Sequence, residues 1–168
     1  MQARGPLSDR PPPRYLNPMR PFFVTTLFIL LVLGIGLLIG ITNVPGEWYQ
    51  SLQKPAFNPP NWIFAPVWTV LYIIIGYVGA RTYLRQPNSK AMRFWFAQML
   101  FNFAWSPLFF GLNEIALALI IILALLISII GFMLTVRRTD SLAAILFLPY
   151  AAWVAFASLL NGSILLLN

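Results

Sequence analysis

Histidine and cysteine are absent from this chain of 168 residues, and its only carboxylates are Asp9, Glu47, Glu114 and Asp140. Without cysteine there is no disulfide and no thiol nucleophile; without histidine there is no imidazole base and no zinc site of the usual His/Cys kind. Carboxylates so few and so scattered cannot build a paired acid–base site or an oxygen-lined metal cage. Charge of either sign is scarce, at 9% of residues, while 60% are hydrophobic, 15% are aromatic and the mean hydropathy is +0.78. Soluble globular domains are roughly half apolar, so this composition excludes one. The formal net charge of +7 would suggest nucleic acid in a soluble protein, and here its distribution decides.

Charge-free gaps separate the ionisable residues at regular intervals. Arg20 to Glu47 and Lys54 to Arg81 each enclose 26 uncharged residues, Arg93 to Glu114 encloses 20, Glu114 to Arg137 encloses 22, and 28 follow Asp140. A helix crosses the hydrocarbon core with about 20 apolar residues, so these five gaps predict an all-α membrane protein, a bundle of five transmembrane helices. Proline, glycine and asparagine signals trim them to roughly 22–43, 62–84, 93–112, 114–136 and 142–166. Ser89 is placed to cap the third helix, Gly111 to end it, Asn113 to start the fourth, and Asp140 or Ser141 to start the fifth. Short connections make sequential helices antiparallel neighbours.

Of the eleven basic residues, all but Lys54 fall on the side shared by the amino terminus and the second and fourth loops. This positive-inside bias predicts a cytoplasmic amino terminus and a carboxy terminus on the far side, and it leaves no basic surface for nucleic acid. The polar, proline-rich stretch 1–21 reads as a disordered tail. It does not begin like a signal peptide, because the apolar run that follows is too long and lacks a small-residue cleavage site.

Functional candidates concentrate in two places. The loop from Asn43 to Trp62 is proline-rich and carries Trp48, Tyr49, Leu52 and Phe57, the make-up of a stiff lid with apolar surface of its own. Interfacial anchoring explains Trp48 and Trp62 equally well. Within the third helix, Trp95, Gln98, Asn102, Trp105 and Phe109 share a face, with Pro107 interrupting the backbone ladder. Amides at that depth must face the bundle interior, either joining helices or lining a cavity. Trp68, Tyr72 and Gly76 in the second helix, and Tyr150, Trp153, Ala157 and Asn161 in the fifth, add aromatic walls and small residues suited to a flat, mostly apolar ligand. Gly36 and Gly40 form a GxxxG pair, which serves either a homodimer or close packing within one bundle.

Three runs carry a resemblance. Trp48-Tyr49-x-x-Leu52-x-Lys54-Pro55-x-Phe57-x-Pro59-Pro60-x-Trp62, continuing through Phe64, Pro66, Trp68 and Tyr72, is followed by Asn102-x-x-Trp105-Ser106-Pro107-x-Phe109-Phe110 and by Pro149-Tyr150-x-x-Trp153-x-x-x-Ala157-x-x-x-Asn161. Together they resemble the translocator protein family, whose bacterial members are called tryptophan-rich sensory proteins (TspO/MBR). The resemblance implies a five-helix bundle with the proline-rich loop as a lid over a pocket. It implies an integral membrane receptor or carrier for tetrapyrroles such as protoporphyrin or a bilin, acting in porphyrin homeostasis or stress sensing; eukaryotic members also bind cholesterol, a sterol, and benzodiazepine-type drugs. Carried onto this chain, the ligand-binding residues are Trp48, Tyr49, Phe57, Trp68, Asn102, Phe109, Tyr150, Trp153 and Ala157. No cofactor is required and no metal site is implied, and with no histidine or cysteine to ligate haem iron, a metal-free porphyrin or a linear bilin is the expected ligand. An alternative implied activity is light- and oxygen-dependent porphyrin degradation, with Trp68 and Trp153 as its catalytic candidates. Two departures stand out: Ala56 replaces an aromatic before Phe57, and no basic residue follows Arg138, so the tyrosine-to-basic sterol motif is missing. The expected setting is a bacterial cell membrane.

Overall fold

A computed structural model describes residues 19–168, and every regular element among them is helical. The expected tail lies outside the described residues up to position 18; α1 (Met19–Thr42) already includes Met19 to Pro21. Proline is tolerated there because the first turn of a helix has no use for its N–H. At the other end, Thr42 Oγ1 donates to the Leu38 carbonyl at 2.9 Å, and Asn43 donates to the Ile39 carbonyl through both its backbone N–H and its Nδ2, each at 3.0 Å.

The loop that follows holds one short helix, α2 (Glu47–Ser51), and a 3-10 turn at Asn61–Ile63 leading into α3 (Phe64–Arg85). Ser89 caps α4 (Lys90–Ser106) by accepting from the Met92 N–H at 3.2 Å. Pro107 then shifts the register: Pro107–Gly111 form a π-helical turn, closed by Leu112 N–H donating to the Pro107 carbonyl at 2.9 Å. Asn113, at φ 60°, reverses the chain in the left-handed region that asparagine tolerates, and α5 (Ile115–Val136) begins. The stretch read as one final helix is two, α6 (Ser141–Leu146) and α7 (Leu148–Leu167), separated at Phe147. Pro149 has no N–H to bond back across that junction, and Asp140 caps α6 by accepting from Ala143 N–H at 3.4 Å.

Among the described residues, length and hydropathy qualify four stretches as membrane spans: Met19–Thr42, Asn61–Arg85, Ile115–Val136 and Ser141–Leu167. That is one fewer than the five expected. The difference is α4, which runs only 17 residues before the π turn and carries Lys90, Arg93, Gln98 and Asn102.

Helix α1 lies along α3, α4 along α5, and α7 against α5. Ile75, Val78, Ile122, Ile129, Phe132, Phe147 and Val154 form the main core. A smaller cluster of Tyr49, Phe109, Ala118 and Ile164 ties the first loop to the ends of α4, α5 and α7. The α1–α3 contact depends on glycine: a Cβ on Gly76 would stand 2.6 Å from the Ile29 Cα, and one on Gly36 would collide with the Tyr72 ring. Gly36 of the GxxxG pair is therefore used within the chain, whereas Gly40 has open space where a Cβ would go. At the opposite end, Asp140 Oδ2 accepts from Arg81 Nε at 2.6 Å and lies 3.0 Å from the Arg85 guanidinium, tying α3 to the α5–α6 turn.

Candidate functional site

A cavity of about 510 Å³ occupies the half of the bundle nearest the 43–63 loop. Its walls follow from the packing just described. α1 and α3 touch at Gly36 and Gly76, and nearer the loop the C-terminal end of α1 (Gly40, Ile41) lines the cavity together with Phe64, Ala65, Trp68 and Thr69 of α3. Asn102, Trp105 and Phe109 come from α4 and its π turn, and Ala157, Leu160, Asn161 and Ile164 from α7. Pro45, Tyr49 and Asn58 of the loop complete the enclosure.

The lining is chiefly aromatic and aliphatic. Trp105 stacks on Phe109 at 5.2 Å with an interplanar angle of 22°, and Tyr49 meets Phe110 edge-on at 5.3 Å. Trp68 is edge-on to Tyr150 at 6.3 Å and lies 5.3 Å from Tyr72. Tyr49 hydroxyl donates to Asn58 Oδ1 at 3.4 Å; burial raises its pKa and that bond offsets part of the rise. Phe109 and Phe110 of the π turn lie 4.9 Å apart, and both meet Tyr49 edge-on.

Two polar assemblies support the wall. Trp105 Nε1 donates to Asn161 Oδ1 at 3.1 Å, and Asn161 Nδ2 donates to the Ile115 carbonyl at 3.0 Å, so this buried amide is used at both ends. Deeper, Asn102 Nδ2 donates to Tyr150 Oη at 2.8 Å, the hydroxyl donates to Gln98 Oε1 at 2.7 Å, and Gln98 Nε2 donates to the Trp95 carbonyl at 2.9 Å. Among the described residues, the buried side-chain polar atoms left without a partner are Asn102 Oδ1 and Trp153 Nε1.

Of the residues singled out from the sequence, Tyr49, Trp68, Asn102, Phe109 and Ala157 stand in the cavity wall. Trp48 packs edge-on against Phe109 at 5.8 Å, and Tyr150 is fully buried beneath Trp68 as the partner of Asn102. Trp153 sits between Phe64, at 5.7 Å, and Phe156, at 5.8 Å, one helical turn before Ala157 and off the wall. Phe57 is 53% exposed and off the wall, its ring 6.3 Å from that of Phe156. The cavity ends at the level of Tyr72 and Asn102, which leaves Tyr150 below it, while Trp153 lies beside the wall against Phe64. Trp105 and Asn161 complete the wall and had a signal in their helical stripes. The contribution of α1 had none, since a uniformly apolar helix does not announce which face borders a void.

The profile of the TspO/MBR family matches residues 28–167. The chain belongs to the TspO/MBR family. Similar proteins include the tryptophan-rich protein TspO of Archaeoglobus fulgidus, 41% identical over 83% of this chain and 94% of its own length. The tryptophan-rich sensory protein of Cereibacter sphaeroides is 34% identical over 84% of this chain and 90% of its own, and the human translocator protein is 34% identical over 85% and 89%. With its long apolar helices, this TspO/MBR chain is an integral membrane protein.

Proposed function

We propose that this TspO/MBR protein binds a tetrapyrrole in the cavity beneath the 43–63 loop, as a receptor or carrier in porphyrin homeostasis or stress sensing. The observation that carries the reading is the cavity itself. Its volume of about 510 Å³ falls among ligand pockets, and Trp68, Trp105, Phe109 and Tyr49 offer ring surfaces on which a flat conjugated ligand stacks. The loop acts as a lid, and α4 with its π turn is the fifth crossing of a five-helix bundle, its Gln98 and Asn102 amides bonded inside the protein except at Asn102 Oδ1. The expected setting is a bacterial membrane, and the bias of basic residues towards the amino-terminal side supports a cytoplasmic amino terminus there. No cofactor is needed, and sterols or benzodiazepine-type compounds compete for the same apolar space. Either a monomer or a homodimer is compatible with this site, which one chain completes.

Titrating protoporphyrin into the purified protein is expected to quench tryptophan fluorescence saturably. Trp68→Ala should weaken binding by roughly ten-fold, the worth of one lost aromatic contact with its buried area, while Trp153→Phe, off the wall, should leave it within about two-fold. Unsaturable quenching, or indifference to Trp68→Ala, overturns the reading. Illumination of the complex in air tests photo-oxidation separately, by loss of porphyrin absorption beyond that of the free dye.

A further inference from the structure

The direction of the hydrogen bonds behind the cavity wall is set from one end. A backbone carbonyl can only accept, so the Trp95 carbonyl compels Gln98 to present its Nε2 and leaves Gln98 Oε1 facing Tyr150. The single hydroxyl proton of Tyr150 is thereby committed to Gln98, at 2.7 Å. Towards Asn102 the same hydroxyl has only a lone pair, so Asn102 must turn its Nδ2 to it, at 2.8 Å. Asn102 Oδ1 is then left over, buried and without a partner, on a residue that is 5% exposed and belongs to the cavity wall. The other buried amide of the wall, Asn161, differs in having a partner at each end.

We infer that the cavity selects a ligand bringing an N–H or O–H donor to Asn102 Oδ1, with Gln98 and Tyr150 as positioning residues that hold the amide in this orientation. Resting on the tetrapyrrole reading, the inference narrows it to an open-chain tetrapyrrole. An unmet buried acceptor is costly, and a ligand donor removes that cost. An ionised propionate is an acceptor and meets Asn102 Oδ1 with repulsion. A closed porphyrin keeps its N–H groups inside the ring, and its metal complexes have none. An open-chain tetrapyrrole carries the same propionates but exposes lactam and pyrrole N–H groups along its edge, where a side chain in the wall reaches them.

Two matched comparisons test this on the purified full-length protein. Biliverdin is expected to bind roughly ten-fold more tightly than protoporphyrin, and carbazole roughly ten-fold more tightly than N-methylcarbazole, which differs by losing its one donor. Asn102→Leu should bring both ratios to about one by removing the acceptor. Tyr150→Phe should do the same without touching the ligand, because the freed amide can turn its Nδ2 towards the cavity; a packing role for the tyrosine would weaken both members of each pair equally. Preferences that survive both variants, or carbazoles taken up equally or not at all, overturn the inference. Saturable tetrapyrrole binding with no carbazole discrimination overturns the donor rule alone, whereas carbazole discrimination with no tetrapyrrole binding overturns the tetrapyrrole reading and leaves the donor rule standing.

Discussion

Gly40 and Gly76 are the same residue in opposite surroundings, one on the cavity wall and one in the α1–α3 contact. At Gly76 the α1 backbone is so close that any Cβ must push it away, since Ile29 Cα would lie 2.6 Å off. Gly76→Ala should therefore destabilise the protein by roughly 1–3 kcal/mol, read as a lowered Tm in detergent. At Gly40 nothing lies within 4 Å, so a larger side chain enters empty space on the cavity wall. Gly40→Leu should keep the Tm within about 0.5 kcal/mol of wild type while reducing protoporphyrin binding, which titration of the folded variant checks. The sequence displayed Gly40 in a GxxxG pair and Gly76 among the small residues of the second helix. It could not rank them, because a glycine's place in the sequence is indifferent to whether backbone or void lies opposite.

Among the elements, the first loop and the α3–α6 junction are each held by a few identifiable polar contacts. Asn168 pairs with the loop through both ends of its side chain, accepting from Gln53 N–H and donating to the Gln53 carbonyl, each at 3.0 Å. Asn168→Ala should speed amide hydrogen exchange over residues 47–53 and change overall stability by no more than about 1 kcal/mol, since Tyr49 still anchors the loop against Phe109 and Phe110. At the other end, burial alone would raise the pKa of Asp140. The Arg81 hydrogen bond, the Ala143 N–H and the charges of Arg81 and Arg85 outweigh it and hold the carboxyl below its ordinary 3.8. A depressed folded-state pKa means that the carboxylate stabilises the fold at pH values above the ordinary one, and that this contribution is lost as pH falls through the folded value. Between about pH 6 and pH 3, wild-type Tm should fall more than that of Asp140→Asn, whose Tm at the upper pH should already be lower by the equivalent of roughly 1–2 kcal/mol. Parallel curves would show that the ion pairs contribute nothing.

Across the whole molecule, most of the helices could be read from the intervals between charges, because hydrocarbon excludes charge and each span must be long. The gap from Arg93 to Glu114 marked α4 as well, but α4 falls short of the length and hydropathy of a span: its polar residues are tolerated where neighbours bond them, as Tyr150 and the Trp95 carbonyl do for Asn102 Nδ2 and Gln98 Nε2. The break at Phe147 escaped, because a proline shows that a helix must adjust but not whether it bends or splits. The proposed orientation is testable without background labelling, since the chain has no cysteine. In sealed cells, a single cysteine at Gln53→Cys should react with an impermeant maleimide added outside, and one at Thr139→Cys only after permeabilisation; the reverse pattern inverts the topology.

By itself, the sequence determined the solvent and the chemistry. Its hydropathy demands a membrane, its basic residues are sorted by loop, and its missing histidine and cysteine rule out the commonest metal and nucleophile sites whatever the fold. The motif residues also marked which helices border a site. Only the tertiary structure decided where among them the empty space lies, because a void is a property of how backbones cross: α1 and α3 touch at Gly76, and nearer the loop both line the cavity. It also decided what the wall offers a ligand. An asparagine carries a donor and an acceptor in equal measure, and which of them is free depends on a hydroxyl 48 positions away in the chain and on the carbonyl that orients it in turn.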